Sequence, residues 1–149
     1  MAAKFRLESV LSLKNNIEKV KKKELADAYA HKEKLDAQKE ILKQEQRELS
    51  DELVKCLSGK IDPATIDNLN NYKVDLFNKI TAIDQDIEKA SETILEKQNN
   101  LVEAMKSRKI LENLKEIHKL EQQELMREEE QKLIDEIVSY RYIKQESGE

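Results

Sequence analysis

The sequence is nearly devoid of the residues that break helices or fill compact cores. Its 149 residues include two glycines, one proline, no tryptophan and only six aromatic side chains. A compact globular core needs bulky side chains that converge from several directions, and few are present here. The whole chain is 39% charged and 38% hydrophobic, which is the composition of long, solvent-exposed helices. We therefore expect an all-α protein whose single domain spans residues 1–149.

Other absences narrow the class further. Cys56 is the only cysteine, so no internal disulfide can form. The opening MAAKFRLESV lacks the apolar core of a signal peptide, and no apolar run approaches the length that crosses a membrane. The net charge of −4 weighs against general nucleic-acid binding, which needs a basic surface. We expect a cytosolic protein that neither inserts into membranes nor binds nucleic acid.

The second half of the chain carries a heptad pattern of apolar residues. Steps of three and four alternate over about six heptads, which predicts a continuous coiled-coil seam. Lys73 and Lys97 are its two interruptions. One line of the seam consists of Ile66, Ile80, Ile87, Ile94 and Leu101, and the other of Leu69, Leu76, Ile83, Ala90, Ala104 and Leu111.

The first half carries a looser seam. Two successive steps of four, at residues 20, 24 and 28, predict a stutter that locally unwinds the supercoil. Polar residues are expected at the other core positions of this half, namely His31, Gln38 and Glu45. The seam itself begins with Val10, Leu13, Ile17 and Val20 and continues with Ala28, Leu35, Leu42, Leu49 and Cys56.

The stretch CLSGKIDPATI, residues 56–66, holds the only proline and one of the two glycines. Gly59 can end a helix in the left-handed conformation without steric cost. Asp62 can cap the next helix, and Pro63 suits the first helical position. We predict a long antiparallel two-helix coiled-coil hairpin, with helices at about 5–57 and 63–144, a turn at 58–62 and a flexible tail at 145–149.

Reversal near residue 61 pairs positions whose numbers add to roughly 122. Glu24 then falls near Lys97, so an ion pair is expected where the two seams are polar. The second helix is expected to overhang its partner beyond about residue 116. An apolar stripe in the overhang would be a binding surface, a self-association seam or a frayed end. Its members are Met126, Leu133, Ile137 and Tyr140.

The sequence suggests no catalytic or metal-binding constellation. His31 and His118 are explained by packed or partly exposed positions on helices. Cys56 and His31 would lie roughly 37 Å apart along one helix, too far for a nucleophile and its base. Gly59 alone cannot form a Gly-rich phosphate loop, and two helices offer no enclosed pocket to tune carboxylates. We expect no enzymatic activity, no cofactor and no metal.

Three segments near the ends of the chain are more specific than a heptad. They are the opening FRLESVLSLKNNIEKVKKKELADA and the later KSRKILENLKE and EEEQKLIDEIVSYRY. The Phe-Arg-Leu-x-x-Val-Leu opening and the Leu-x-Asp-Glu-Ile close include residues that a seam does not require. On these segments, and on its helix–turn–helix layout, effectively the whole chain resembles the FliJ family of flagellar type III export proteins.

The resemblance implies a non-enzymatic coiled coil similar to the central stalk of rotary ATPases. Such a protein binds the hexameric export ATPase, promotes its ring assembly and activity, and contacts both the cytoplasmic part of the export gate and export chaperones. It also implies a place in flagellum biogenesis, motility and chemotaxis, in the cytoplasm and peripherally at the inner membrane of the flagellar base. We expect a monomeric hairpin.

The basic opening and the overhang come together at one end of the predicted hairpin. We expect this end to meet the ATPase, with charged contacts that set fit and association rate and apolar anchors beside them. Taken alone, each lysine there is more simply explained as a solvated charge. The candidates are Phe5, Arg6, Lys14, Lys21, Lys22, Arg108, Lys109, Lys115, Leu133, Ile137 and Tyr140.

A second candidate surface lies nearer the turn, where Tyr72, Val74 and Phe77 fall outside the core line. Exposed aromatics on a slender structure are typical of binding hot spots, here for the export gate or a chaperone. Packing around the hairpin tip is the alternative.

Two other functions fit the same sequence. One is a generic structural scaffold or secretion chaperone, which would self-associate through the overhang. The other is the equivalent stalk of an injectisome, whose mechanism would be the same.

Overall fold

The computed structural model describes residues 6–148. Helix α1 spans Glu8–Leu57 and helix α2 spans Pro63–Ser147. The two helices pack against each other, 94% of the described residues are helical, and no strand occurs among them. The protein is thus an all-α helical hairpin, as the composition and the heptads predicted.

Neither helix, over the residues that are described, contains a window apolar enough to cross a lipid bilayer.

The hairpin consists of two compact units, each with a segment of both helices. The turn unit comprises Lys19–Val102, and the base unit comprises Met1–Glu18 together with Glu103–Glu149. In the turn unit, Lys39 contacts Asp84 at 2.5 Å, and Glu45 accepts a hydrogen bond from Tyr72. Higher numbers on α1 pair with lower numbers on α2, so the segments run antiparallel.

The predicted seam of α2 is confirmed. Leu76 is completely inaccessible to solvent, and Ala90 and Ile94 are buried. Every other apolar member of the seam is half-buried, whereas Lys73, its first polar interruption, is exposed. Aliphatic side chains repeated every three and four residues therefore form the core side of α2.

The predicted seam of α1 is only partly right. Ala28, Leu35, Leu42, Leu49 and Cys56 are buried or half-buried, as expected. The expected opening is wrong at Val10, Leu13 and Val20, which are exposed, whereas Ile17 is half-buried as expected. Of the expected polar core positions, Glu45 is half-buried, but His31 and Gln38 are exposed. The second core line runs instead in steps of seven through Leu11, Glu18, Leu25, Lys32, Lys39, Gln46 and Leu53.

With this second core line, the heptads of α1 show no stutter at residues 20–28, contrary to the prediction. Lys14 and Lys21 extend the Ala28 line backwards in sevens, and both are half-buried. The heptads of α1 therefore continue without a break, with charged residues at core positions. A lysine can occupy such a position because its aliphatic stem covers apolar surface while its ammonium group reaches water.

The predicted pairing of Glu24 with Lys97 is confirmed. The carboxylate of Glu24 lies 3.6 Å from the ammonium group of Lys97, and both side chains are half-buried. Lys21 also contacts Glu24, at 3.4 Å. The polar break in the seam of α2 thus meets a half-buried carboxylate beside the seam of α1, and the pair marks the register of the turn unit.

The turn is built by side chains rather than by a left-handed glycine. Gly59 does not have a positive φ, contrary to expectation. Instead, the amide of Ser58 donates to Val54 at 3.2 Å, and its hydroxyl donates to the Lys55 carbonyl at 2.9 Å. Asp62 caps α2 as predicted, since its carboxylate accepts the Ala64 amide at 3.1 Å.

The ends of the helices differ from the predicted bounds. Helix α1 begins at Glu8, after a turn at residues 6–7, and Phe5 lies outside the described residues. Helix α2 continues to Ser147, where a tail was expected from residue 145. Gln145 and Glu146 have high helix propensity, and the Ser147 hydroxyl donates to the Lys144 carbonyl at 3.3 Å.

Candidate partner-binding surfaces

Ion pairs hold the two helices of the base unit together. The guanidinium of Arg108 contacts the carboxylate of Glu18, whose residue is only 6% exposed. Arg108 also contacts Glu112 at 2.6 Å, and Lys115 contacts Glu8 at 2.9 Å. A buried carboxylate is costly unless it is paired, so Arg108 compensates Glu18.

These pairs change the interpretation of two predicted contact residues. Hydrogen bonds to Glu112 and then to Glu18 raise the pKa of Arg108 above its ordinary value, so the guanidinium keeps its charge. Arg108 and Lys115 already serve as ties between α1 and α2. Any partner contact at these residues would therefore compete with an intramolecular contact.

One side of the base unit contains an open groove of about 1320 Å³, in which Leu11 and Met126 provide apolar surface beside polar side chains. Its walls come from both helices, and they offer hydroxyl, amide, carboxylate and ammonium groups together. The residues that represent the two walls are Glu8, Ser12 and Asn15 on α1 and Glu112, Lys119 and Gln123 on α2. This mixture suits an extended protein surface better than a small apolar ligand.

The apolar stripe of α2 begins at the end of this groove. Met126 lines the groove, and Leu133, Ile137 and Tyr140 follow it in steps of seven, four and three, which keeps all four on one side of a helix. Their exposed fractions are 55%, 58%, 53% and 66%. Residues 123–148 are exposed throughout, so α1 covers none of the stripe in the base unit.

The structure divides the predicted basic residues between the two units. Arg6 and Lys115 line the groove, Lys109 is exposed, and Lys14 is half-buried in the seam. The other two belong to the turn unit, where Lys21 pairs with Glu24 and Lys22 is exposed. The base unit thus combines Arg6, Lys14, Arg108, Lys109 and Lys115 with Leu133, Ile137 and Tyr140.

In the turn unit, Tyr72 lies apart from the other two residues of the aromatic patch. Its hydroxyl donates a hydrogen bond to Glu45 on α1 at 3.2 Å. The negative charge of Glu45, and then this hydrogen bond, raise the pKa of Tyr72 above its ordinary value. Tyr72 therefore joins the helices, and Val74 and Phe77 remain as the apolar part of the patch.

Val74 and Phe77 lie on the same side of the turn unit as a second hydrogen bond between the helices. There the side-chain amide of Gln98 donates to the Tyr29 hydroxyl at 2.5 Å. Three heptads further toward the turn, the same register brings Phe77 opposite Ser50 and Val74 near Val54. Val54, Val74 and Phe77 are 65%, 57% and 62% exposed.

Sequence reasoning missed the contribution of α1 to this patch. The expected patch lay on α2 alone, whereas Val54 belongs to α1. Its heptad position, one residue after the core position of Leu53, was the available signal. Across residues 6–148, no group of three or more His, Cys, Asp or Glu side chains could hold a metal ion.

The chain matches a model of a known protein family. The family model described as "Flagellar FliJ protein" matches residues 3–147. Neither the curated proteins nor the solved structures contain a match to the chain. The family match covers both helices and the turn between them.

Proposed function

The chain belongs to the flagellar FliJ family, and from that premise we propose that it is a stalk-like coiled coil that binds the hexameric flagellar export ATPase. Membership makes it a flagellar export-related protein. In the proposed role it promotes assembly and activity of the ATPase ring. It also links the ring to the cytoplasmic part of the export gate and to export chaperones, without catalysing a reaction itself.

The proposal rests on one side of the base unit, where the groove between the helices leads into the exposed apolar stripe of α2. The groove supplies charged and polar groups that orient a partner, and Leu133, Ile137 and Tyr140 supply apolar area. Tyrosine is enriched among the residues that contribute most to the binding energy of an interface. Large aliphatic side chains add hydrophobic free energy when a partner buries them. We propose this side as the ATPase contact, with Arg6 and Lys109 at its margin.

The place of action follows from these partners. A protein that joins the ATPase to the gate works in the cytoplasm, at the inner face of the membrane of the flagellar base. We propose that it does so as a monomer. Sedimentation of the purified protein distinguishes this role from that of a scaffold, because a scaffold would dimerise through the exposed stripe of α2.

The test of the ATPase role is a titration of the cognate flagellar export ATPase with this protein. We expect saturable stimulation of ATP hydrolysis, together with more ATPase rings in electron micrographs. An ATPase that is active alone and unchanged by the protein would contradict the proposal and favour a scaffold or chaperone. Titrating an injectisome ATPase with the same protein distinguishes a flagellar stalk from an injectisome stalk. The ATPase of the correct system should be stimulated at the lower protein concentration.

The patch formed by Val54, Val74 and Phe77 is proposed to bind the export gate or a chaperone. Replacing Phe77 with Ala should leave helical content unchanged, because the ring is 62% exposed, and should weaken gate binding about tenfold. The measurement is binding of the gate's cytoplasmic domain by surface plasmon resonance. Ile41→Ala is the matched control, since Ile41 is exposed to 61% on the opposite side of the turn unit. Equal affinities for the two variants would remove Phe77 from the interface.

A further inference from the structure

The base unit has a second apolar surface, on the side away from the groove. We call it the lateral face. It consists of Val10 and Leu13 on α1 and of Ile110, Leu114 and Ile117 on α2. Their exposed fractions range from 37% for Val10 to 60% for Ile110. The proposed ATPase contact uses none of these residues.

Heptad positions place these residues together. Each precedes a position of the heptad seam by one residue, as Val10 precedes the buried Leu11 and Ile117 precedes the half-buried His118. In an antiparallel pair, positions related in this way lie on the same side of both helices. Residues that follow a core position, such as Ser12 and Glu112, line the groove on the other side.

The register of the base unit aligns the lateral face across the two helices. Lys115 contacts Glu8 at 2.9 Å. By that register Val10 lies across from Leu114, and Leu13 lies across from Ile110. Aliphatic residues of both helices therefore form one continuous surface rather than separate exposed positions.

Further along α2 the same side becomes acidic. Glu121, Glu124 and Glu128 follow Ile117 in steps of four, three and four, and all three are exposed. Arg127 contacts Glu124 at 3.7 Å, but both side chains are more than 60% exposed, so water screens this pair. The side thus presents an aliphatic block followed by an acidic block.

We propose that the lateral face binds an amphipathic helix of a partner protein whose aliphatic residues are followed by lysine or arginine. The aliphatic residues would pack on the block from both helices of the base unit, and the basic residues would pair with the three glutamates. Charge complementarity selects this occupant. The inference does not depend on ATPase binding, which is proposed for the opposite side of α2.

Other occupants fit the charge pattern less well. An anionic membrane surface or a nucleic acid would be repelled by the glutamates. A second copy of this chain aligned in parallel would bring two acidic blocks face to face. Of these occupants, a basic helix satisfies both the aliphatic and the acidic block.

The test uses the full-length protein and a synthetic helical peptide of about 18 residues, long enough for both blocks. The peptide carries leucines in steps of three and four, followed by three lysines, and a fluorescent label for anisotropy. A control peptide has glutamate in place of each lysine. We expect the lysine peptide to bind at least about tenfold more tightly than the control, and less tightly as salt is added.

Two variants locate the binding. Glu121→Lys combined with Glu128→Lys should reverse the preference between the peptides, and Leu114→Ser should weaken both. The matched control is Glu129→Lys combined with Glu130→Lys, which makes the same charge change beside Glu128 but on other sides of the helix. Equal binding of the two peptides, or an equal effect of the two double variants, would overturn the proposal. Dimerisation that Leu114→Ser abolishes in sedimentation would overturn it as well, by assigning the face to a second copy.

Discussion

Replacing Leu76 with Ala is expected to lower the free energy of unfolding of the turn unit by about 2–5 kcal/mol. Leu76 is the one described residue whose large side chain is completely buried. The substitution removes apolar contacts and leaves a cavity that two rigid helices cannot close. Alanine favours a helix, so the loss reflects packing between the helices and not helix propensity.

Urea denaturation followed by circular dichroism measures this loss. Val74→Ala is the control, because Val74 lies two residues away on the same helix and is 57% exposed. Its free energy of unfolding should change by no more than about 0.5 kcal/mol. If the two variants unfold at the same urea concentration, the packing of Leu76 contributes no more than that of an exposed residue, and the seam is wrong.

The second large effect is expected in the base unit. Replacing Leu133 and Ile137 together with Asp should weaken the apparent affinity for the export ATPase about a hundredfold. Each aliphatic anchor that becomes buried contributes about 1.5 kcal/mol or more, which is about tenfold in affinity. The two free-energy losses add, so the two tenfold factors multiply. Both residues are exposed in the free protein, so the fold should remain intact. The readout is the protein concentration that gives half-maximal stimulation of ATP hydrolysis.

The same turns of α2 provide a matched control. Ile134 and Val138 are also four residues apart and exposed, at 53% and 60%, but they lie about 100° around the helix from the stripe. Ile134→Asp combined with Val138→Asp introduces the same charge into the same segment. Stimulation should persist in this variant. Equal loss in both double variants would indicate that added charge, rather than the stripe, is responsible.

The sequence predicted α2 better than α1, for a physical reason. The core positions of α2 from Ile66 to Leu101 are aliphatic apart from Lys73 and Lys97, so apolar spacing identifies the packed side directly. In α1, Glu18 and Lys39 occupy core positions while Val10 and Leu13 are exposed. A pattern of apolar residues then identifies the wrong side, because ion pairs to α2 stabilise the charged core positions.

The candidate surfaces were predicted less completely than the fold. Heptads describe each helix separately, whereas a surface such as the patch of Val54 and Phe77 needs residues from both. The register was available in the expected Glu24–Lys97 pair, which the structure confirms. The role of Tyr72 could not be predicted, because its hydrogen bond depends on the distance between side chains that only the packed helices define.

The cross-helix contacts of the turn unit also predict the order in which the two helices pair during folding. Glu45 and Tyr72 are 27 residues apart, whereas Tyr29 and Gln98 are 69 residues apart. Closing a long loop costs more entropy than closing a short one. Once the pair nearer the turn has formed, the loop that the outer pair must still close is shorter, so the outer pair forms at a lower entropic cost. We therefore expect the helices to join from the turn outwards, like a zipper. During synthesis the whole of α1 is made first, and its pairing begins only as the residues after Pro63 emerge from the ribosome.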